Sequence, residues 1–203
     1  MRWQLSIVCA TDRPGELGRS VSNDVARAAA IRQELAAGAY RHAGEVTLWD
    51  ALHPADGALF VGACPGGVMV CHAELAGALI HANAWSHAST GLRGDFVETV
   101  LRWYPDGEVM ALAVNCVTQL WGFGAYRRGQ RIRTVAGSWR DGVLAEHGEP
   151  LPEEAAVLAC ATPEQLNARD AGEDLVLAAS SRMFGCSIDR LPGTGPLFSH
   201  YRR

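Results

Sequence analysis

The stretch WGFGAYRRGQRIR, Trp121–Arg133, decides between a nucleotide-binding loop and a β-hairpin. It carries G-x-G, three aromatic residues and four arginines. A dinucleotide fingerprint needs G-x-G-x-x-G after a strand and before a helix. Gly122 and Gly124 fill the first two positions, but Arg127 stands at the third. A Walker loop needs G-K-[ST], and the chain has no lysine. The residues that follow, QRIRTV, alternate like a strand and carry no helix signal. The stretch therefore reads as a hairpin, with Gly129 at the positive-φ position of its turn. Arg131 and Arg133 lie two apart, so they are expected on one face, with Ile132 on the other. Gly122 and Gly124 allow another backbone or a large side chain to approach.

Upstream lies the longest β signal. From Val109 to Tyr126, Met110, Leu112, Val114, Cys116, Thr118 and Leu120 form one alternate set, expected to face the core. RWQLSIVCA is a first strand, and a helix is expected over Ser22–Ala37, capped by Ser20 or Ser22. EVTLWDALHPADG reads as a short strand and a turn. Ala58–Ala63 and Val68–His72 form a second hairpin about the turn CPGG. AELAGALIHANAW and DFVETVLRWY are helices, the second capped by Asp95. GVLAEHG is a further strand, and LPEEAAVLA starts a helix at Pro152. AGEDLVLAASSRMFG is a helix with acids at its start, Arg182 near its end and Gly185 as its stop. The tail, about 186–203, is expected to run extended along the surface. Strands followed by helices, without βαβ alternation, give one α+β domain over residues 1–203: a mainly antiparallel sheet with helices packed on it.

With 203 residues the chain can bury roughly 70% of its unfolded surface, so it needs neither disulfide nor metal to fold. The net charge of −4 argues against nucleic acid as a partner. All 18 basic residues are arginine, which reads as the codon bias of a GC-rich genome. The N-terminal apolar stretch is too short for a secretory signal, and no segment approaches ~20 apolar residues. The cytoplasm is the expected compartment. The six cysteines show no C-x-x-C, so reduced and buried thiols are expected, with no bound metal and no cofactor.

Charge is arranged in blocks. Arg127 to Arg140 holds five arginines and no acid, and Asp141 to Glu154 holds five acids and no arginine. One reading has the two blocks neutralise each other across neighbouring strands. The other has the basic face dock an acidic partner protein or an anionic ligand. Tryptophan and arginine together suit a binding surface, which selects Trp121, Tyr126, Arg128, Arg131, Arg133 and Trp139. The rival chemistry is a pocket for a small molecule or a thiol-dependent enzyme. Cys64, in the turn before Pro65, is its nucleophile, and His72, His53 or His81 is its base. Cys71 and His87 lie nearby, but adjacent strand residues such as Cys71 and His72 point to opposite faces.

The segments AVNCVTQLWGFGAYRRGQRIR, GEPLPEE, GEDLVLAASSRMFGCSID and VGACPG resemble an uncharacterised bacterial family of unknown function over about residues 46–190. The shared features fall here on Phe123, Gly129, Arg133 and Glu149 to Glu154. The resemblance supports the domain layout and implies no activity. With no catalytic constellation evident, the leading expectation is a non-enzymatic protein-binding protein of immunity or adaptor type.

Overall fold

The computed structural model describes residues 4–19, 22–36, 40–55, 57–80, 91–160, 171–193 and 195–203. One sheet runs from near the beginning of the chain to its end. Its strands are β1 (Gln4–Thr11), β2 (Arg41–Thr47), β3 (Ala58–Cys64), β4 (Gly67–Cys71), β5 (Glu108–Asn115), β6 (Leu120–Arg127), β7 (Gln130–Ser138), β8 (Gly142–His147) and β9 (Leu197–Arg202). Their order across the sheet is β2-β9-β3-β4-β1-β5-β6-β7-β8. Every pairing is antiparallel, so the fold is α+β as the sequence suggested.

Both faces of the sheet are covered. On one, α1 (Val25–Leu35), α3 (Leu75–Ile80) and α4 (Phe96–Arg102) enclose Val8, Val61, Val70 and Ala111. On the other, α2 (Leu48–Ala51), α5 (Ala155–Leu158) and α6 (Ala171–Phe184) lie over Ile7, Met69, Leu112 and Phe123. The central strands are therefore buried almost throughout, and β3 and β4 are buried at every residue. A strand covered on both sides needs no polar face, which is why ALFVGAC and GVMVC carry none.

Four expectations are corrected by tertiary structure. The run Val109–Tyr126 is two strands, because the side chain of Asn115 accepts from the backbone N–H groups of Val117 and Thr118 and folds the chain back at Gln119. Met110, Leu112 and Val114 consequently share a face with Trp121 and Phe123. Asp24, and not Ser22, caps α1, accepting from Arg27 N at 3.0 Å, while Ser20 lies outside the described residues. Asp95 makes no cap bond with its side chain and pairs with Arg93. The tail does not lie along the surface: after a 3-10 turn at Ile188–Arg190 it enters the sheet as β9, between β2 and β3, with Phe198 to Tyr201 buried.

Trp121 links the sheet to α6. Its indole is fully buried, and it lies against Gly137 of β7 and Gly172 of α6. A Cβ at Gly172 would stand 2.2 Å from the Cε2 of the fully buried indole. Gly172→Ala is expected to destabilise the fold by about 1–3 kcal/mol, read from the midpoint of urea unfolding at unchanged slope.

Candidate functional site

The β6–β7 connection is a two-residue turn, with Arg128 at φ 53° and Gly129 at φ 71°. Two successive positive φ values give the primed turn that matches strand twist, and Gly129 takes its second position at no steric cost. Just beyond it the ladder shifts: Tyr126 pairs with Arg131, while Ala125 pairs with Arg133. Ile132 is an extra residue, and the resulting β-bulge turns consecutive side chains onto unexpected faces. Arg131 and Arg133 therefore do not share a face. Arg131 is exposed and lies on the side of Tyr126, whereas Arg133 is 2% exposed and points beneath the α6 layer.

Arg133 meets the acidic block. Its Nε and Nη2 donate to the two carboxylate oxygens of fully buried Glu154 at 3.0 and 2.9 Å. Its Nη1 donates to Glu146 Oε1 at 3.0 Å and to the carbonyl of Gly148 at 2.7 Å. Glu154 also accepts from Leu151 N at 2.6 Å. A second network lies beside the first. Arg182 of α6 donates twice to Glu108, at 2.7 and 2.8 Å, and also to Glu153. Arg127 donates to Glu108 at 2.9 Å. Burial alone would raise the Glu108 pKa, but hydrogen bonds from Arg182 and Arg127, with their charges, outweigh it and hold the carboxyl below its ordinary value.

The six residues selected for binding separate accordingly. Trp121, Tyr126 and Arg133 are buried and engaged inside the protein, and the Tyr126 hydroxyl donates to the carbonyl of Leu79. Trp139 is half-buried against the core at the far end of β7. Arg128 and Arg131 remain exposed at the hairpin tip, beside Arg127.

The described members of the thiol pocket, Cys64 and His72, are not brought together. Cys64 pairs with Gly67 at the turn end of β3–β4, whereas His72 follows Cys71, which pairs with Phe60 at the other end. Four to five residues of strand place them roughly 15 Å apart. They also belong to different layers: Cys64 packs beneath α6, and His72 meets Tyr40, a member of the opposite core. The Cys64 thiol is buried and donates to the carbonyl of Gly67. The Cys9 and Cys71 thiols are fully buried and are pushed up by burial, away from the nucleophilic thiolate. His72 Nδ1 accepts from Glu74 N at 3.2 Å, and Nε2 lies 3.2 Å from the Tyr40 hydroxyl. His81 and His87 lie outside the described residues. All six cysteines are free, and no group of three metal-ligating side chains forms among the described residues.

One cluster had no signal in local sequence. At the β2–β9–β3 end, a hollow of about 390 Å³ is lined by His53, Phe60, His200, Arg202 and Arg203 among others. His200 is buried and stacks on Phe60 with centroids 4.5 Å apart. Arg202 Nε donates to His200 Nε2 at 3.2 Å. Burial, then Arg202 and His42, push the His200 pKa down. The residues concerned are distributed over the chain, and the SHYRR end (199–203) reads locally as a tail.

The chain belongs to a family of unknown function, DUF6928, whose model matches residues 3–197. The match extends well beyond the 46–190 span of the resemblance noted above. No curated protein and no solved structure matches the chain. Among the described residues no helix is long and apolar enough to cross a membrane.

Two outcomes follow from the ion-pair networks. Arg133→Met leaves Glu154 buried and unpaired and is expected to cost about 3–5 kcal/mol, whereas the double change Arg133→Met/Glu154→Leu recovers most of it, both measured by urea unfolding. For Glu108 the folded pKa is the lower one, so the unfolded chain takes up more protons as pH falls. Its stabilisation is complete above the ordinary glutamate pKa of about 4.3 and is lost as pH drops through that value toward the folded one. A series of melting temperatures against pH is therefore expected to fall less steeply below about pH 5 in Glu108→Gln than in the wild type.

Proposed function

We propose that this chain is a non-enzymatic protein-binding protein of the immunity or adaptor kind, and that it docks an acidic surface of another protein through the tip of the β6–β7 hairpin. The observation that carries the reading is the placement of Arg128 and Arg131, beside Arg127, whose guanidinium is held by Glu108. All three are exposed around a two-residue turn, with Arg127 and Arg128 side chains at 53% and 72% exposure. Asp106 approaches Arg128 at only 3.9 Å and is itself 96% exposed, so it neutralises little. A short primed turn on a paired hairpin holds these groups with little backbone freedom to lose on binding. Guanidinium forks match carboxylates two bonds at a time.

Cys9, Cys64 and Cys71 are core residues, and Cys64 stands apart from His72. The docking surface is smaller than the sequence suggested, because the aromatic residues and Arg133 serve the interior.

Arg128→Glu/Arg131→Glu alters exposed positions and is expected to leave the melting temperature nearly unchanged. Proteins retained from host extract by the wild type at low salt, released as salt rises, and crosslinked to the hairpin are expected to be missing with the variant. Recovery of the same proteins, with the same salt profile, by both forms would sink the proposal.

A further inference from the structure

We infer that the hollow at the β2–β9–β3 end is an oxyanion-binding site, taking a phosphate or carboxylate group against Arg202 and His200, with the charge of Arg41 across the ladder from Arg202 adding to the attraction. Arg41 and Arg202 are direct partners across the β2–β9 ladder. Like charges directly opposed on neighbouring strands repel. Neither has a carboxylate within 4.0 Å among the described residues. The contrast with the other end of the sheet is sharp: there Arg127, Arg133 and Arg182 all have carboxylate partners.

The hollow has the build of a site. Its lining includes a buried imidazole, His200, a buried aromatic ring, Phe60, and the exposed side chains of Arg202 and His53. Among the described lining residues none is acidic. Arg202 uses its Nε–H on His200 Nε2, which fixes the orientation of the guanidinium and leaves its terminal N–H groups for a ligand. Because Nε2 accepts that bond, the neutral imidazole carries its proton on Nδ1, a further donor. Arg203 also lines the hollow, but its guanidinium carbon lies 5.6 Å over the Tyr40 ring, so it is not counted among the anion ligands. A volume of about 390 Å³ falls at the small end of ligand pockets and suits a small molecule bearing one such group.

The test is calorimetric titration of the full chain with inorganic phosphate and, separately, with acetate, at constant ionic strength held with chloride. Saturable binding of either anion is expected, and which of the two binds identifies the group. Arg202→Gln is expected to weaken it by about tenfold, the loss of one charge-assisted hydrogen bond, and Arg41→Gln, which removes only a neighbouring charge, by less. Arg140→Gln, at an exposed position beside β8, is expected to change nothing. Melting temperatures in chloride alone establish that each variant is folded. Failure of both anions to bind the wild type, or equal weakening by all three substitutions, would overturn the assignment.

Discussion

Arg133 and Glu154 form an ion pair with almost no access to water, and a large part of the structure is arranged to satisfy it. Burying two charges is expensive unless nearly every donor and acceptor finds a partner. Here Arg133 makes four hydrogen bonds and Glu154 accepts three. Those bonds determine more than the pair. The bulge at Ile132 brings Arg133 inward, Gly148 and Glu146 place the end of β8, and Leu151 N places the start of the 3-10 turn at Pro152–Glu154. The neighbouring Glu153 turns to Arg182 of α6, which reaches Glu108 at the start of β5. Two consecutive glutamates thereby fasten one loop to a hairpin and to a helix. Such a pair contributes register more surely than net stability, since apolar residues of similar volume could fill the same space.

The arginine-rich appearance of the hairpin is thus two different things. Toward the α6 layer it is internal wiring, in which each guanidinium meets a carboxylate. Toward solvent it is Arg128 and Arg131, beside Arg127, which is exposed but paired with Glu108. Composition cannot separate these, because the separation depends on one extra residue in β7. The aromatic residues sort in the same way. Trp121 fills the gap between two glycines from different elements, and Tyr126 reaches the end of α3 through its hydroxyl. Large side chains of this kind stabilise an interior as readily as they build a binding surface.

What was legible in the sequence was local. Gly129 at the turn, Gly185 at the end of α6, and the hairpins about CPGG and RRG all follow from residues within a few positions of one another. The features that escaped depend on partners far along the chain. A bulge is defined against the opposing strand, so QRIRTV alone cannot show that Ile132 is supernumerary. The alternation from Val109 to Tyr126 runs on through the turn, and only the side-chain bonds of Asn115 break it. Alternation also loses its meaning in a sheet covered on both faces, where Val8 and Ile7 are equally buried. The separation of Cys64 from His72 escaped for a related reason: eight residues apart in sequence, they occupy opposite ends of a hairpin.

The insertion of β9 carries the longest-range consequence. By pairing with β2 on one side and β3 on the other, it joins β2 to the rest of the sheet. The same pairing sets Arg202 opposite Arg41 and His200 opposite Phe60. Two arginines directly opposed across a ladder, with no carboxylate partner among the described residues, are an unfavourable arrangement for a strand junction on which an entire edge depends. The other end of the sheet shows how this chain neutralises arginines when it does so internally: with glutamates supplied from a neighbouring loop. At the β9 junction no described residue does this, and the buried imidazole beside Arg202 cannot replace an anion. An oxyanion from solution would complete the junction electrostatically, which couples occupancy of the hollow to the stability of the β2 edge and gives the arrangement a physical reason.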